Sequence, residues 1–344
     1  MSFYQRQIIL PEIGAEGQKK LSQARILCIG AGGLGSPALL YLAAAGVGTI
    51  GIVDGDQVDE TNLHRQVLFT AADIGKPKAS TAAAKIKTHN PELKTVAHDF
   101  YLAASNAEQL ISEYDLVVDG TDNFDAKYIS NDICVKLSKP LVYGSISKFE
   151  GRVSVFNANK GACYRCLYPQ PPNADVQNCA EAGILGAVAG VIGTMQALEA
   201  IKTILNLKPL VSKMAVFEFI NFSTMNLAIQ KRKDCICAGN KSEIKAKESG
   251  SISIQELRMN SEKYCLIDVR EDHEWSNGHI RNAIHWPLSR FQNGVFPEQL
   301  LKTPQITVLY CQAGSRSAKA LDQLHAKGIE GVRHLKGGFQ EWIS

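Results

Sequence analysis

Arg25-Ile-Leu-Cys-Ile-Gly30-Ala-Gly32-Gly33-Leu-Gly35-Ser36-Pro-Ala-Leu-Leu-Tyr-Leu-Ala-Ala-Ala45 is the stretch from which the fold of the first 240 residues is read. The apolar run ending at Gly30 has no polar alternation, as a strand buried on both faces of a parallel sheet requires. Gly30 to Gly35 then lets the backbone turn sharply and approach a phosphate, and the helix predicted over Ser36–Ala45 aims its N-terminus at the same point. Thr49-Ile-Gly-Ile-Val-Asp54 reads as the next strand. Asp115-Leu-Val-Val-Asp119 and Leu141-Val-Tyr-Gly144 are two more, with helical stretches between them. Such alternation predicts a doubly wound, Rossmann-like α/β sheet. Upstream lie a polar arm and a helical pattern through Gln18–Ala24. After Glu150 the pattern shifts toward antiparallel strands, Arg152–Asn157 and Met214–Phe219, around a Gly/Ala-rich helix.

At 344 residues, 45% hydrophobic and 21% charged, the chain is long enough for two domains with separate cores. Residues 239–252 are polar, charged and aperiodic, so the expected organisation is one domain over 1–240, a linker over 241–251 and a second domain over 252–344. In the second, helical Ile254–Met259 and strand Tyr264–Val269 precede strand Ile306–Tyr310. That strand runs into Cys311-Gln312-Ala313-Gly314-Ser315-Arg316 and a helix over Ser317–Lys327, making a small α/β domain. Lys plus Arg number 37 against 34 Asp plus Glu, a net charge of +3 that excludes nucleic-acid binding driven by gross charge. Met1–Gln7 has no apolar h-region, and Gly183–Leu205, the most apolar long run, carries Glu199 and Lys202. A buried helix, and no membrane contact, is expected there. Nine cysteines, an odd number, without a secretory signal imply reduced thiols and a cytoplasmic protein.

The glycine loop alone suits NAD or FAD as well as ATP, and Asp54, 19 residues beyond Gly35, stands where an acid binds ribose hydroxyls. The residues after it change the balance. Asp54-Gly-Asp56, Asn62-Leu-His-Arg65-Gln66 and Lys76-Pro-Lys78 place cations after the nucleotide loop, which breaking a triphosphate demands and hydride transfer does not. Asp119-Gly-Thr-Asp122-Asn123 closes a strand at the same edge, where Asp122 is suited to Mg²⁺. The plainer readings are solvated surface charges for Arg65 and Lys78, and a helix N-cap for Asp122.

Arg6-Gln7-Ile-Ile-Leu10, the glycine loop, Asp54-Gly-Asp56, Asn62-x-x-Arg65-Gln66, Lys78 and Asp119-x-x-Asp122-Asn123 together resemble the MoeB/ThiF family, relatives of the ubiquitin-activating enzymes, over residues 1 to about 240. The resemblance implies a homodimer that binds ATP and Mg²⁺ and adenylates the C-terminal Gly-Gly of a ubiquitin-like sulfur carrier protein of MoaD/ThiS type. It implies ATP binding by Gly33, Asp54, Asn62, Arg65 and Lys78, Mg²⁺ at Asp122, and Arg6 reaching the partner subunit's nucleotide.

Cys163-x-x-Cys166 and Cys235-x-Cys237 are two pairs about 70 residues apart, a ligand set for structural Zn²⁺. The family's second pair is usually C-x-x-C, so this one is a residue shorter. Cys179 precedes the Gly/Ala helix, where a thiol ionises more readily. The resemblance places an acyl-accepting cysteine there. Cys28, Cys134 and Cys265 read as core. Cys311 is delivered by a strand to a loop whose amides, following helix and Arg316 all favour an anion. With Leu266-Ile-Asp268-Val-Arg270-Glu271 and Gly278-His279-Ile280 upstream, residues 251–344 resemble the rhodanese domain, which carries sulfur as a cysteine persulfide. Cysteine phosphatases have one more residue between Cys and Arg. His279 and Asp268 read as structural.

The sequence therefore leads to an enzyme with adenylyltransferase and sulfurtransferase half-reactions, catalytic residues Arg6, Asp122, Cys179 and Cys311, and a carrier thiocarboxylate as product. A cysteine desulfurase is the plausible sulfur donor, and the molybdopterin, thiamin and tRNA-thiolation pathways all stay open. The competing readings are a related enzyme adenylating a tRNA-bound group and a non-catalytic interaction protein.

Overall fold

The computed structural model describes residues 3–170, 183–244, 250–252, 254–259, 261–292, 296–297, 305–329 and 331–343. The chain divides into two compact units, one built on the described residues up to Ile244 and the other on those from Gly250 onward. Cys179 lies outside the described residues.

The first unit is one eight-stranded sheet. Its strands are β1 (Arg25–Ile29), β2 (Thr49–Val53), β3 (Lys94–His98), β4 (Leu116–Asp119), β5 (Leu141–Ser147), β6 (Glu150–Phe156), β7 (Lys213–Glu218) and β8 (Ser223–Ala228). The order is β3-β2-β1-β4-β5-β6-β7-β8. The first five are parallel, and β6 to β8 continue antiparallel, so the shift expected after Glu150 is real. Strand β1 shows why an unbroken apolar run forms here. Ile26 and Cys28 join one buried cluster and Leu27 and Ile29 the other, so both faces of the strand are covered. Strands β3 and β8 escaped the sequence reading, because Lys94–His98 is half polar and every residue of β8 is exposed.

Register places the site. Ile29 pairs with Val53 and with Asp119, so the residues just beyond, Gly30, Asp54 and Gly120, leave the sheet along one carboxyl edge. Helix Gly35–Ala44 begins at that edge, one residue earlier than its sequence suggested. Helix Gly186–Leu205 has the length and composition of a membrane span. It packs against helix Gly35–Ala44 and strands β5 and β6, and Glu199 is buried on Lys202 and the Leu210 amide.

The second unit is a five-stranded parallel sheet: β9 (Ser251–Ile252), β10 (Tyr264–Asp268), β11 (Ile284–His285), β12 (Ile306–Tyr310) and β13 (Arg333–Leu335), in the order β11-β10-β12-β13-β9. Cys311 leaves the carboxyl end of central β12, and helix Ser315–Ala326 follows it.

Two glycines of helix Gly186–Leu205 test the packing. A Cβ at Gly193 would sit 2.2 Å from the Leu34 carbonyl oxygen, whereas one at Gly190 meets nothing within 4 Å among the described residues. Gly193→Ala should cost about 1–3 kcal/mol in denaturant unfolding by overpacking. Gly190→Ala should be neutral or stabilise by up to about 1 kcal/mol through helix propensity. Equal effects would dismiss the contact at Leu34.

Candidate functional site

The nucleotide edge is built by backbone proximity. Gly30 adopts φ +87°, and a Cβ on Gly35 would fall 2.0 Å from the Gly30 carbonyl oxygen, so the helix starts with no room for a side chain. A Cβ on Gly33 would touch Ala189 at 3.4 Å and the Arg65 stem at 3.6 Å. The Arg65 turn therefore lies over the loop, and Gly186, whose Cβ would meet the His64 carbonyl oxygen at 2.2 Å, holds it there. Such a loop before a helix N-terminus accepts a phosphate.

Asp54 accepts hydrogen bonds from the Ala31 amide at 2.8 Å and the Asp56 amide at 2.9 Å, which join the end of β2 to the glycine loop. Burial pushes its carboxyl up to about 6, against the attraction of Lys78. Lys78 is itself buried, with its ammonium 2.9 Å from Asp56. Arg65 donates to Asn62 Oδ1 at 2.5 Å and to the Thr61 carbonyl at 3.2 Å. Neither Arg65 nor Lys78 is simply a solvated charge. Gln66 is buried beside Gly32, and its Oε1 lacks a hydrogen-bond partner among the described residues.

At the end of β4, Asp119 is fully buried on Lys127 at 3.1 Å and accepts from the Thr121 amide and hydroxyl at 3.0 and 2.6 Å. Asn123 caps helix Phe124–Leu137 by accepting from the Ala126 amide at 2.8 Å. The N-cap is thus Asn123, and Asp122 stands exposed before it, making no hydrogen bond or ion pair with the described residues. Exposed carboxylate oxygen at this edge fits a hard cation. Arg6 is exposed on helix Gln5–Ile8 and makes no polar contact with this edge among the described residues.

Sequence reasoning missed Lys127 and Gln196. Lys127 also donates to the Gly144 carbonyl at 3.2 Å, and Gln196 donates to the Asp119 carbonyl at 2.7 Å. Gln196 had a readable signal, an uncharged polar residue in a Gly/Ala-rich apolar run.

The four cysteines Cys163, Cys166, Cys235 and Cys237 are all buried, with their sulfurs within 4.8 Å of one another. Separations are 3.9 Å for Cys163–Cys166, 3.3 Å for Cys163–Cys235 and 3.5 Å for Cys166–Cys237. Tetrahedral thiolate coordination at about 2.3 Å needs sulfur–sulfur edges of about 3.8 Å, so the cluster has the size of a metal site despite the shortened C-x-C pair. Burial and the adjoining sulfurs push Cys163 far up and Cys237 to about 12. A dication would reverse that.

In the second unit the Cys311 side chain is buried, and its sulfur accepts from the Gly314 amide at 3.1 Å and the Ser317 hydroxyl at 3.7 Å. A sulfur anion is held by such donors. Gly337 and Gly338, both at positive φ, let the chain touch this loop from behind. A Cβ on Gly338 would lie 2.2 Å from the Cys311 carbonyl, which instead accepts from the Phe339 amide at 2.7 Å. Arg316 acts on the Cys311 sulfur through its charge, as expected, but shares it: its guanidinium forms a two-pronged pair with Glu274 at 2.5 and 2.6 Å, which holds that carboxyl down to about 2. Asp268 is structural, as expected. It is fully buried against Arg270 at 2.7 Å, and Arg270 in turn donates to Gln312 Oε1 at 3.1 Å and the Gly278 carbonyl at 2.7 Å. His279 stacks on Trp275 at 3.6 Å. Cys28 and Cys134 are core residues, but Cys265 is only half-buried.

Two family descriptions match the chain, the ThiF family over residues 4–238 and the rhodanese-like domain over residues 253–344. The probable adenylyltransferase/sulfurtransferase MoeZ of Mycobacterium tuberculosis is 42% identical, across 98% of this chain and 92% of that protein. The probable molybdopterin-synthase adenylyltransferase of Porphyra purpurea is 39% identical, across 99% and 92%. The adenylyltransferase and sulfurtransferase MOCS3 of Aedes aegypti is 38% identical, across 98% and 86%. Among solved structures, E. coli MccB with ATP superposes with a TM-score of 0.62 at 22% identity, covering 70% of this chain and 75% of that one, a likeness of fold alone.

This geometry has two measurable consequences. Cys163→Ser should lower metal content, measured by elemental analysis, and melting temperature together, because a metal held by these four sulfurs would contribute its binding energy to folding. Metal-free wild type purified without chelator would dismiss the site. Asp54 is ionised above about pH 6 in the free protein, and ribose hydroxyls donate to the ionised form. Nucleotide affinity in equilibrium titrations should hold between pH 7 and 8 and weaken by up to about tenfold per unit below 6. In Asp54→Asn that dependence should flatten, and an unchanged acid limb would assign it to another group.

Proposed function

The chain belongs to the ThiF family and carries a rhodanese-like domain behind it, and from that premise we propose that it activates and thiolates the C-terminus of a ubiquitin-like sulfur carrier protein. The observation that carries this reading is the convergence of the Gly30 loop, Asp54, Arg65, Lys78 and the Asp119–Asn123 turn on one sheet edge. The same chain holds Cys311 sulfur under loop amide and hydroxyl donors.

In the first half-reaction a carboxylate oxygen of the carrier's terminal Gly-Gly attacks the α-phosphorus of ATP. Pyrophosphate leaves, and a mixed acyl–AMP anhydride remains. The glycine loop and the N-terminus of helix Gly35–Ala44 receive the phosphates, Asp54 takes the ribose hydroxyls, and Asn62 orients Arg65. Arg65 and Lys78 offset charge on the β and γ phosphates as the α–β bridge breaks. Positioning and charge stabilisation supply the rate, since no protein nucleophile is needed. Asp122 is the residue to hold Mg²⁺, which would supply further charge neutralisation at the phosphates. Arg6 acts on the partner subunit's nucleotide in a homodimer.

In the second half-reaction the terminal sulfur of a Cys311 persulfide attacks the activated carbonyl and expels AMP, leaving an acyl disulfide. Cys179 thiolate then attacks the Cys311 sulfur. The sulfur–sulfur bond breaks toward the acyl group, the carrier thiocarboxylate leaves, and a Cys179–Cys311 disulfide remains for a cellular thiol to reduce. Cys163, Cys166, Cys235 and Cys237 would hold Zn²⁺ in a structural role, which would tie the helix Tyr164–Leu167 to the turn around Ile236. A cytoplasmic cysteine desulfurase is the natural persulfide source. The relatives' names favour molybdenum cofactor assembly, with thiamin precursor synthesis a second destination for the same product.

Two variants separate the halves. Asp122→Ala should abolish carrier-dependent ATP–pyrophosphate exchange in a folded protein. Cys311→Ala should keep exchange near wild type and lose thiocarboxylate by at least about a hundredfold, read as the mass of the carrier, with added sulfide restoring part of it. Full sulfur transfer by Cys311→Ala would move the chemistry to another thiol.

A further inference from the structure

Lys78 is buried, and its ammonium is already occupied by Asp56 at 2.9 Å. A phosphate that recruits Lys78 must compete with that carboxylate. Asp56 is therefore the residue that sets how readily the cation is released. Its backbone ties together the two halves of the nucleotide edge: the Asp56 amide donates to Asp54 at 2.9 Å, and its carbonyl accepts from the Lys78 amide at 2.9 Å. Its second carboxylate oxygen, Oδ1, accepts a hydrogen bond from the Tyr101 hydroxyl.

Tyr101 is fixed for that contact. A Cβ on Gly55 would lie 2.6–2.7 Å from three atoms of the Tyr101 ring, so the ring rests on backbone where no side chain intervenes. Asn106 donates to the Tyr101 carbonyl at 3.0 Å and accepts from the Ala103 amide at 2.9 Å, pinning the turn before helix Ala104–Ser112.

We propose that Tyr101 is a positioning residue for the triphosphate, acting through Asp56 on Lys78. Its hydroxyl supplies a donor that stays on Asp56 when Lys78 turns to phosphate. The carboxylate left behind is then not an unpaired charge in a half-buried place. Without the hydroxyl, Asp56 has only Lys78 as a side-chain partner among the described residues and holds it harder. This inference rests on reading Lys78 as a ligand of the β and γ phosphates. It makes a demand that a purely structural tyrosine would not. Loss of the hydroxyl must weaken ATP, which carries those phosphates, and leave AMP, which lacks them.

The test is equilibrium titration of the full chain with Mg²⁺ and either ATP or AMP. Tyr101→Phe keeps the ring over Gly55, and AMP binding reports whether the ribose side of the site is intact. ATP affinity should fall about three- to tenfold, within the range of one charge-assisted hydrogen bond, with AMP affinity within about twofold of wild type. In a Lys78→Met background the Tyr101→Phe effect on ATP should vanish, as a double-mutant cycle through one pair requires. Unchanged or tightened ATP binding, equal losses for ATP and AMP, or a persistent effect without Lys78 would each overturn the inference. Wild type that binds neither nucleotide would instead overturn the functional reading beneath it.

Discussion

Helix Gly35–Ala44 starts so close to the end of β1 that the backbone at Gly35 faces the Gly30 carbonyl with no space for a methyl group. That approach fixes the nucleotide edge. The glycine loop cannot relax outward, because Gly33 is covered by Arg65 and Ala189, and helix Gly186–Leu205 presses on the Leu34 carbonyl through Gly193. Close packing transmits such constraints without slack. The result is a tightly packed edge at the point where the parallel strands diverge, with a helix N-terminus, the Asp54 carboxylate and two cations beside it.

Those cations are engaged before any substrate arrives. Lys78 sits on Asp56, Arg65 on Asn62, Lys127 on Asp119, and in the second unit Arg316 on Glu274 and Arg270 on Asp268. Desolvating a lone cation costs several kcal/mol, and four of these five face a carboxylate while Arg65 is held by a neutral amide oxygen. The pairs differ in consequence. Lys127–Asp119 and Arg270–Asp268 are almost wholly buried and lock backbone turns. Lys78–Asp56 is open on its carboxylate side, which leaves the ammonium able to exchange one anion for another. Arg316 is bound in two places by Glu274. Among the described residues, the donors in hydrogen-bond contact with Cys311 sulfur are the Gly314 amide and Ser317 hydroxyl, and Arg316 adds its charge.

One residue type meets several environments here. Burial drives Cys28 and Cys134 far above the ordinary thiol range, which makes them inert core atoms. Cys163, Cys166, Cys235 and Cys237 are also buried but face one another, an arrangement that without a cation crowds four sulfurs together. Cys311 is buried beneath a backbone donor at the mouth of a strand. Environment, and not the thiol, separates these three kinds of cysteine.

The chain's own pattern determined the doubly wound sheet, because a strand covered on both faces must be apolar throughout and glycines must mark a turn with no room for side chains. It also singled out Asp54, Arg65, Lys78 and the cysteine pairs, since these stand next to strand ends or at ligand spacing. It missed β8, whose exposed residues carry no burial period, and it gave no sign of the Glu274 carboxylate that shares Arg316. Only the tertiary structure decided those matters. The Glu274 partner lies 42 residues from Arg316, Asp56 lies 45 from Tyr101, and Cys235 lies 72 from Cys163. A side chain's charge can be read from its letter, but whether that charge is free depends on what the fold brings opposite it. Sequence proximity carries no record of such a partner.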